Sequence, residues 1–220
     1  MLSSYSLAEP IVFDEEKINV LIIENGAFFR DTVLALRNET DGDDYGLYLS
    51  DGLDSLNLSK CAEVITDYFQ LDFDARNIIT QLNKEAASCC AGKEGRIASL
   101  ARDILELAYE ITEEMDYPVT PRPEIPTGEL IKLMSITPDT ESMPLPEQLL
   151  AYMNICRNLL GKKLFILVNV KSIMTTEEIA GFYRSILYEK LPILLIESYQ
   201  REPPREEELV RIIDEDFCEI

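Results

Sequence analysis

Histidine and tryptophan are absent from the 220 residues, and bases are outnumbered two to one, with 20 lysines and arginines against 41 aspartates and glutamates. The lack of histidine removes the commonest general base and the commonest transition-metal ligand. Ser-His-Asp and Cys-His nucleophilic sites and histidine-based zinc sites are therefore excluded; chemistry would have to rest on Asp, Glu, Lys, Tyr or Cys. The five cysteines, Cys61, Cys89, Cys90, Cys156 and Cys218, are odd in number, include an adjacent pair and form no CxxC spacing. Reduced, mostly buried thiols are expected. No stretch reaches the roughly 18 apolar residues of a membrane span. The opening MLSSYSLAEP has neither a basic segment nor an apolar run of the signal-peptide kind. These absences predict a cytoplasmic protein with no membrane partner. The net charge of −21 repels nucleic acid and anionic membranes at long range, so an anionic partner must be met by locally grouped bases or through a cation.

A phosphate loop is also missing. No G-x-x-x-x-G-K-[ST] occurs, and the apolar run Ile18 to Ile23 is followed by Glu24-Asn25-Gly26-Ala27, with one glycine. Gly161-Lys162-Lys163 precedes an apolar run, whereas a phosphate cradle follows its strand. Asn169, at the end of that run, stands where phosphate-loop enzymes often carry an aspartate.

What is present divides into two patterns. Short β-branched runs at Ile18 to Ile23, Leu164 to Val168 and Ile193 to Ile196 predict buried strands, and Tyr45 to Leu49 a further one after the Asp41 to Asp44 loop. A helix is expected from Phe28 to Arg37. A second runs from Ser59 to about Phe69, on the spacing of Cys61, Val64, Ile65 and Tyr68; others cover Glu147 to Leu160 and Thr176 to Leu191. Glu206 to Asp214 predicts a helix or turn. The strand–helix–strand unit near the C-terminal end needs a sheet to join, with Ile18 to Ile23 as neighbour. Between these parts run two long apolar stripes, Ala75 to Cys89 and Ile97 to Met115, joined at Gly92 to Gly95 as an expected antiparallel hairpin. Proline-rich joints follow at 116–128 and 138–146, flanking a short helix from Glu129 to Ile136. The expected architecture is α/β, a mostly parallel sheet in a head formed by residues 1–71 and 151–220, with an inserted α-helical leg over residues 72–150.

Acids concentrate where the second stripe ends. Glu106, Glu110 and Glu113 share one helix face at spacings of four and three, Glu114 and Asp116 follow, and Glu124 and Glu129 lie across the joint. Such a group is a solvated face, a calcium site assembled from carboxylates and loop carbonyls, or a Mg²⁺ site for phosphodiester chemistry. Asp214-Glu215-Asp216 fits a surface turn. Among the few bases, Lys132, Lys162, Lys163 and Lys171 sit at element ends. They act as solubilising charge, or as a positive surface where a symmetric oligomer brings copies together; a Debye length of about 8 Å hides the distant acids.

Several segments carry a resemblance to a known family. They are LAEPIVF (7–13), INVLIIEN (18–25), CAEVITDYFQLDF (61–73), ELIKL (129–133), GKKLFILVNVKSIMTTEEI (161–179) and IIDEDF (212–217). In this order, and around a helical insertion, they resemble the type II-A CRISPR-associated Csn-two family, which acts in spacer acquisition. The resemblance implies a core like a P-loop ATPase that has lost its phosphate loop, and a ring-shaped homotetramer. It also implies a non-catalytic protein that binds the ends of linear double-stranded DNA, beside the integrase complex and the RNA-guided nuclease of the same system. Calcium (Ca²⁺) is implied near the joint of head and leg; carried onto this chain, its ligands are Glu110, Glu113, Asp116, Glu124 and Glu129. The chain departs from the family at Pro118 to Pro123, where relatives are more acidic. Lys132, Lys162, Lys163 and Lys171 become the expected DNA contacts. The alternatives are a metal-dependent phosphodiesterase built on the carboxylates of residues 110–129, and an acidic adaptor that touches only proteins.

Overall fold

The β-branched runs are too short for helices and too apolar for a solvent-facing sheet, and they form the centre of the chain. The computed structural model describes residues 1–4, 7–37, 47–52, 54–140 and 142–220. In chain order its elements are β1 (Leu2–Ser4), β2 (Ile18–Ile23), α1 (Gly26–Arg37), β3 (Leu47–Asp51), β4 (Asp54–Leu56), α2 (Leu58–Cys61), β5 (Ala62–Ile65), α3 (Arg76–Ser88), α4 (Glu94–Glu113), α5 (Thr127–Leu133), α6 (Leu145–Leu160), β6 (Leu164–Val168), α7 (Thr176–Glu189), β7 (Ile193–Glu197) and β8 (Glu208–Ile213). They fall into two compact units, Met1–Leu71 with Thr140–Ile220, and Asp72–Asp139. The second division lies before α6, so all of α6 belongs to the first unit, including the residues before 151.

The first unit is an α/β domain around a five-stranded sheet in the order β5-β6-β7-β2-β8. Every pairing is parallel: Val64 faces Ile166, Ile166 faces Leu194, Leu195 faces Val20, and Val20 faces Val210. β2, β6 and β7 are buried at every position, as parallel strands covered on both faces must be. Helix ends carry the expected stops. Thr175 and Glu178 close a capping box at the start of α7, and Gly161 takes the left-handed conformation (φ 70°) at the end of α6. A separate antiparallel sheet, β1-β3-β4, sets Leu2 against Leu49 and Leu49 against Leu56. Leu2, Ile11 and Leu49 join Leu21, Ile23 and Ile166 in one apolar core.

Two elements differ from the sequence expectation. The helix from Ser59 is one turn long, capped by Asn57, whose Oδ1 accepts from Lys60 N at 3.0 Å. It then gives way to β5. The three-and-four spacing of Cys61, Val64 and Ile65 mimics a helix face, but the β-branched run Val64-Ile65-Thr66 is a poor helix, and Ala62 to Ile65 pair with β6. Glu208 to Ile213 likewise becomes a strand, β8, the edge strand of the five-stranded parallel sheet, because β2 offers it an unpaired flank. Of the expected strand at Tyr45 to Leu49, Tyr45 and Gly46 lie outside the described residues, as does the Asp41 to Asp44 loop. The described cysteines are all free; Cys156 is buried, but Cys89 and Cys218 are exposed, so the thiols are less buried than expected.

In the second unit α3 packs against α5 and not along α4. The two long helices meet only near their joint, beside a cleft of about 730 Å³ lined by Ala87, Cys90, Ile97 and Ala101. The expected antiparallel hairpin is thus splayed. Gly92 in the left-handed region (φ 81°) turns the chain between them. Ile78 of α3 and Leu130 and Ile131 of α5 are buried, whereas α4 has no buried residue along its 20 positions.

Candidate nucleic-acid and metal sites

The β2–α1 junction is where an open parallel sheet would place a phosphate loop. Here it is closed by the chain itself. Asn25 Oδ1 accepts from Phe28 N at 3.0 Å, its Nδ2 donates to Glu215 O at 3.2 Å, and Glu24 N donates to Ile213 O at 2.9 Å. One N–H of the first turn of α1, that of Phe28, is thereby capped, and acidic Glu24 and Glu215 adjoin Asn25.

The expected DNA-contacting lysines separate into two kinds. Lys162 Nζ donates to Ala62 O at 2.6 Å and Ser59 O at 2.9 Å, and lies 3.1 Å from Glu63 Oε2, with 15% of its side chain exposed. Glu63 Oε1 also accepts from Tyr152 OH at 3.1 Å. Lys162 therefore ties the α2–β5 turn to the start of β6. Lys171 Nζ lies 2.5 Å from Glu208 Oε1 and is 19% exposed. Its backbone N–H donates to Glu197 Oε1 at 3.1 Å. Lys163 and Lys132 are exposed. Lys163 N donates to Cys61 O at 2.7 Å, which sets exposed Lys60 on the adjoining segment. Lys60 stands alone in the sequence, and only the joining of Cys61 to Lys163 at the β5–β6 edge brings it to that segment.

Lys171 belongs to a buried ionic cluster at the carboxyl ends of β6 and β7. Glu208, its side chain 1% exposed, accepts from Tyr183 OH at 2.6 Å and from Arg205 N at 3.1 Å. Burial raises the Tyr183 hydroxyl well above its ordinary value, and the Glu208 hydrogen bond raises it further. Glu197 is 2% exposed, and burial pushes its carboxyl up to about 7 against the lowering effect of the Lys171 N–H and ammonium.

The expected calcium ligands are all exposed. Glu110 and Glu113 lie on α4, Asp116 and Glu124 in the joint, and Glu129 in the first turn of α5. Glu129 Oε1 is 3.2 Å from Arg122 Nη1, from within the proline-rich segment. Among the described residues no three Asp, Glu, Cys or His side chains come together as a metal-holding group. One chain by itself does not bring these five residues into the six to eight oxygens that calcium takes.

An open parallel α/β domain interrupted by a separate helical unit defines the class of protein. The family model described as CRISPR-associated protein (Cas_Csn2) matches residues 39–217, most of the chain, and the protein belongs to that family and has a role in a CRISPR system. No curated protein matches it. Among the described residues, no helix is long and apolar enough to cross a membrane.

Proposed function

We propose that this chain is a non-catalytic, ring-forming protein that binds the ends of linear double-stranded DNA during spacer acquisition, in the cytoplasm, beside the integrase complex and RNA-guided nuclease of its system. Family membership supports the CRISPR setting, and the observation that carries assembly is the bare face of α4. Leu100, Ile104, Leu107 and Ile111 repeat at four, three and four residues and are 44%, 39%, 54% and 50% exposed, the spacing of a helix–helix seam. Charge along the same helix is polar. Lys93, Arg96 and Arg102 stand at its beginning with Glu94 and Asp103, whereas Glu106, Glu110, Glu113 and Glu114 follow with no base. Two copies of α4 laid antiparallel cover the stripe and set bases against acids; laid parallel they set like against like.

Such two-fold pairing closes a dimer, and the proposed homotetramer joins two such dimers, with exposed Lys60, Lys132 and Lys163 supplying phosphate contacts. Lys162 and Lys171, already paired inside the chain, hold the fold. Calcium fits this proposal where acids of more than one copy meet, since among the described residues of one chain no three such side chains come together. The phosphodiesterase alternative needs a convergent carboxylate set in the same place and has the same lack of support.

Mass measurement in solution tests the assembly. A tetramer has a mass of about 100 kDa, four times 25.1 kDa, and chelation of calcium lowers it. A mass of 25.1 kDa at all concentrations, with and without calcium, overturns the ring.

A further inference from the structure

A cavity of about 50 Å³ opens in the first unit where β6 and β7 end and α7 begins. Ligands of open parallel sheets lodge outside the carboxyl ends of their strands. Bases are scarce in this chain, yet Lys171, Arg201 and Arg205 all line this one cavity. Two of them are held in place. Lys171 Nζ rests on buried Glu208 with two further N–H donors to offer, and Arg205 Nη2 donates to Thr176 O at 3.0 Å while its backbone N–H donates to Glu208. The third, Arg201, lies over the Tyr199 ring at 4.5 Å and forms no ion pair among the described residues.

One carboxylate enters the cavity. Glu202 Oε1 accepts from Thr176 Oγ1, on the first residue of α7, at 2.9 Å, and Glu202 Oε2 lies 3.6 Å from Arg205 Nη2. Its side chain is 54% exposed, so it can swing out to solvent without breaking the core. A carboxylate held by a threonine hydroxyl and an arginine beside a helix start stands in the position of a small oxyanion. Behind it, Glu197 carries less than a full negative charge near neutrality because burial pushes its carboxyl up to about 7. Glu197 does not line the cavity, but it accepts from the Lys171 N–H, so its reduced charge lies beside one of the lining bases.

We propose that this cavity binds a phosphate-class oxyanion through Arg201, Arg205, Lys171 and Thr176, and that Glu202 is an internal surrogate that the anion displaces. The space takes a phosphoryl group and is too small for a nucleobase beside it. The site does not depend on a ring or on DNA binding. The same chemistry could come from free phosphate or from a terminal phosphate on a nucleic-acid end.

Titration of the full chain with sodium phosphate, against sodium chloride of matched ionic strength, reads binding by calorimetry. Wild-type protein binds phosphate; Glu202→Gln, which keeps an acceptor for Thr176 but loses the competing charge, binds about tenfold tighter, the effect of roughly one charge-assisted hydrogen bond. Arg201→Gln, which breaks no ion pair found among the described residues, binds at least tenfold weaker by the same reasoning. Equal heats in chloride and phosphate, or unchanged affinity in Arg201→Gln, overturn the site. Unchanged affinity in Glu202→Gln overturns the surrogate. Blunt duplexes with 5′-phosphate or 5′-hydroxyl ends then distinguish the source. Displacement of phosphate by the first alone assigns a nucleic-acid terminus, and displacement by neither assigns the free ion.

Discussion

At the scale of single residues, the chain places its few cations with care. Lys162 satisfies two carbonyls and a carboxylate across roughly a hundred residues of sequence, and removing it leaves Glu63 partly buried without its counter-ion. Lys162→Ala is expected to destabilise the chain by about 3 kcal/mol in urea unfolding, whereas exposed Lys132→Ala changes stability by less than about 0.5 kcal/mol and acts on DNA affinity instead. Equal stability losses in the two variants would contradict their division into structural and surface lysines.

Glu197 makes a pH-dependent prediction whose sign follows from its environment. Its carboxyl is raised from 4.5 to about 7 in the folded chain, so the folded state binds the extra proton between those values. Its contribution to stability is complete below about 4.5, falls as pH rises, and is lost above about 7, a change on the order of 3 kcal/mol. Glu197→Gln keeps an acceptor for the Lys171 N–H and removes the titration. Measured by denaturant midpoint, the variant should gain on wild type as pH is raised from 4 to 8; a difference that is constant with pH would show that Glu197 is not held in this state.

Among the elements, α4 has the least support from its own chain. Leu107→Asp replaces a 54% exposed side chain, so it should leave the thermal unfolding of the monomer nearly unchanged while it abolishes assembly, read as a fall in mass. An unaltered mass would place the interface elsewhere. The strands β2, β6 and β7 were legible in the sequence because their burial leaves continuous β-branched runs, and α6 and α7 because their starts, stripes and stops agree. β5 was not, since Cys61, Val64 and Ile65 fit a helical spacing and only pairing with β6 decides between the two. β8 was hidden for a related reason: Glu208 and Arg211 interrupt its apolar run, and its partner β2 lies nearly two hundred residues away. The acids of α4 could be read directly. The internal partners of Lys162 and Lys171, and the gathering of Arg201 and Arg205 around Thr176, depend on how distant segments fold together.

For the whole molecule, charge governs behaviour. Four copies carry a net charge of −84, four times −21, so an assembled particle repels itself unless cations or α4-type pairing offset it. Removal of calcium is therefore expected to lower the assembly's mass and its unfolding temperature together, and moderate sodium chloride should restore part of both by screening. DNA affinity should move the opposite way with salt, falling on a log–log plot by about 0.9 per phosphate neutralised. The most direct test of a ring that takes DNA by its ends is a mobility shift with one duplex in two forms, linear and covalently closed, in calcium. A ring predicts retardation of the linear form alone, with both DNAs intact. Equal retardation of the closed circle, or cleavage of either form, would contradict it.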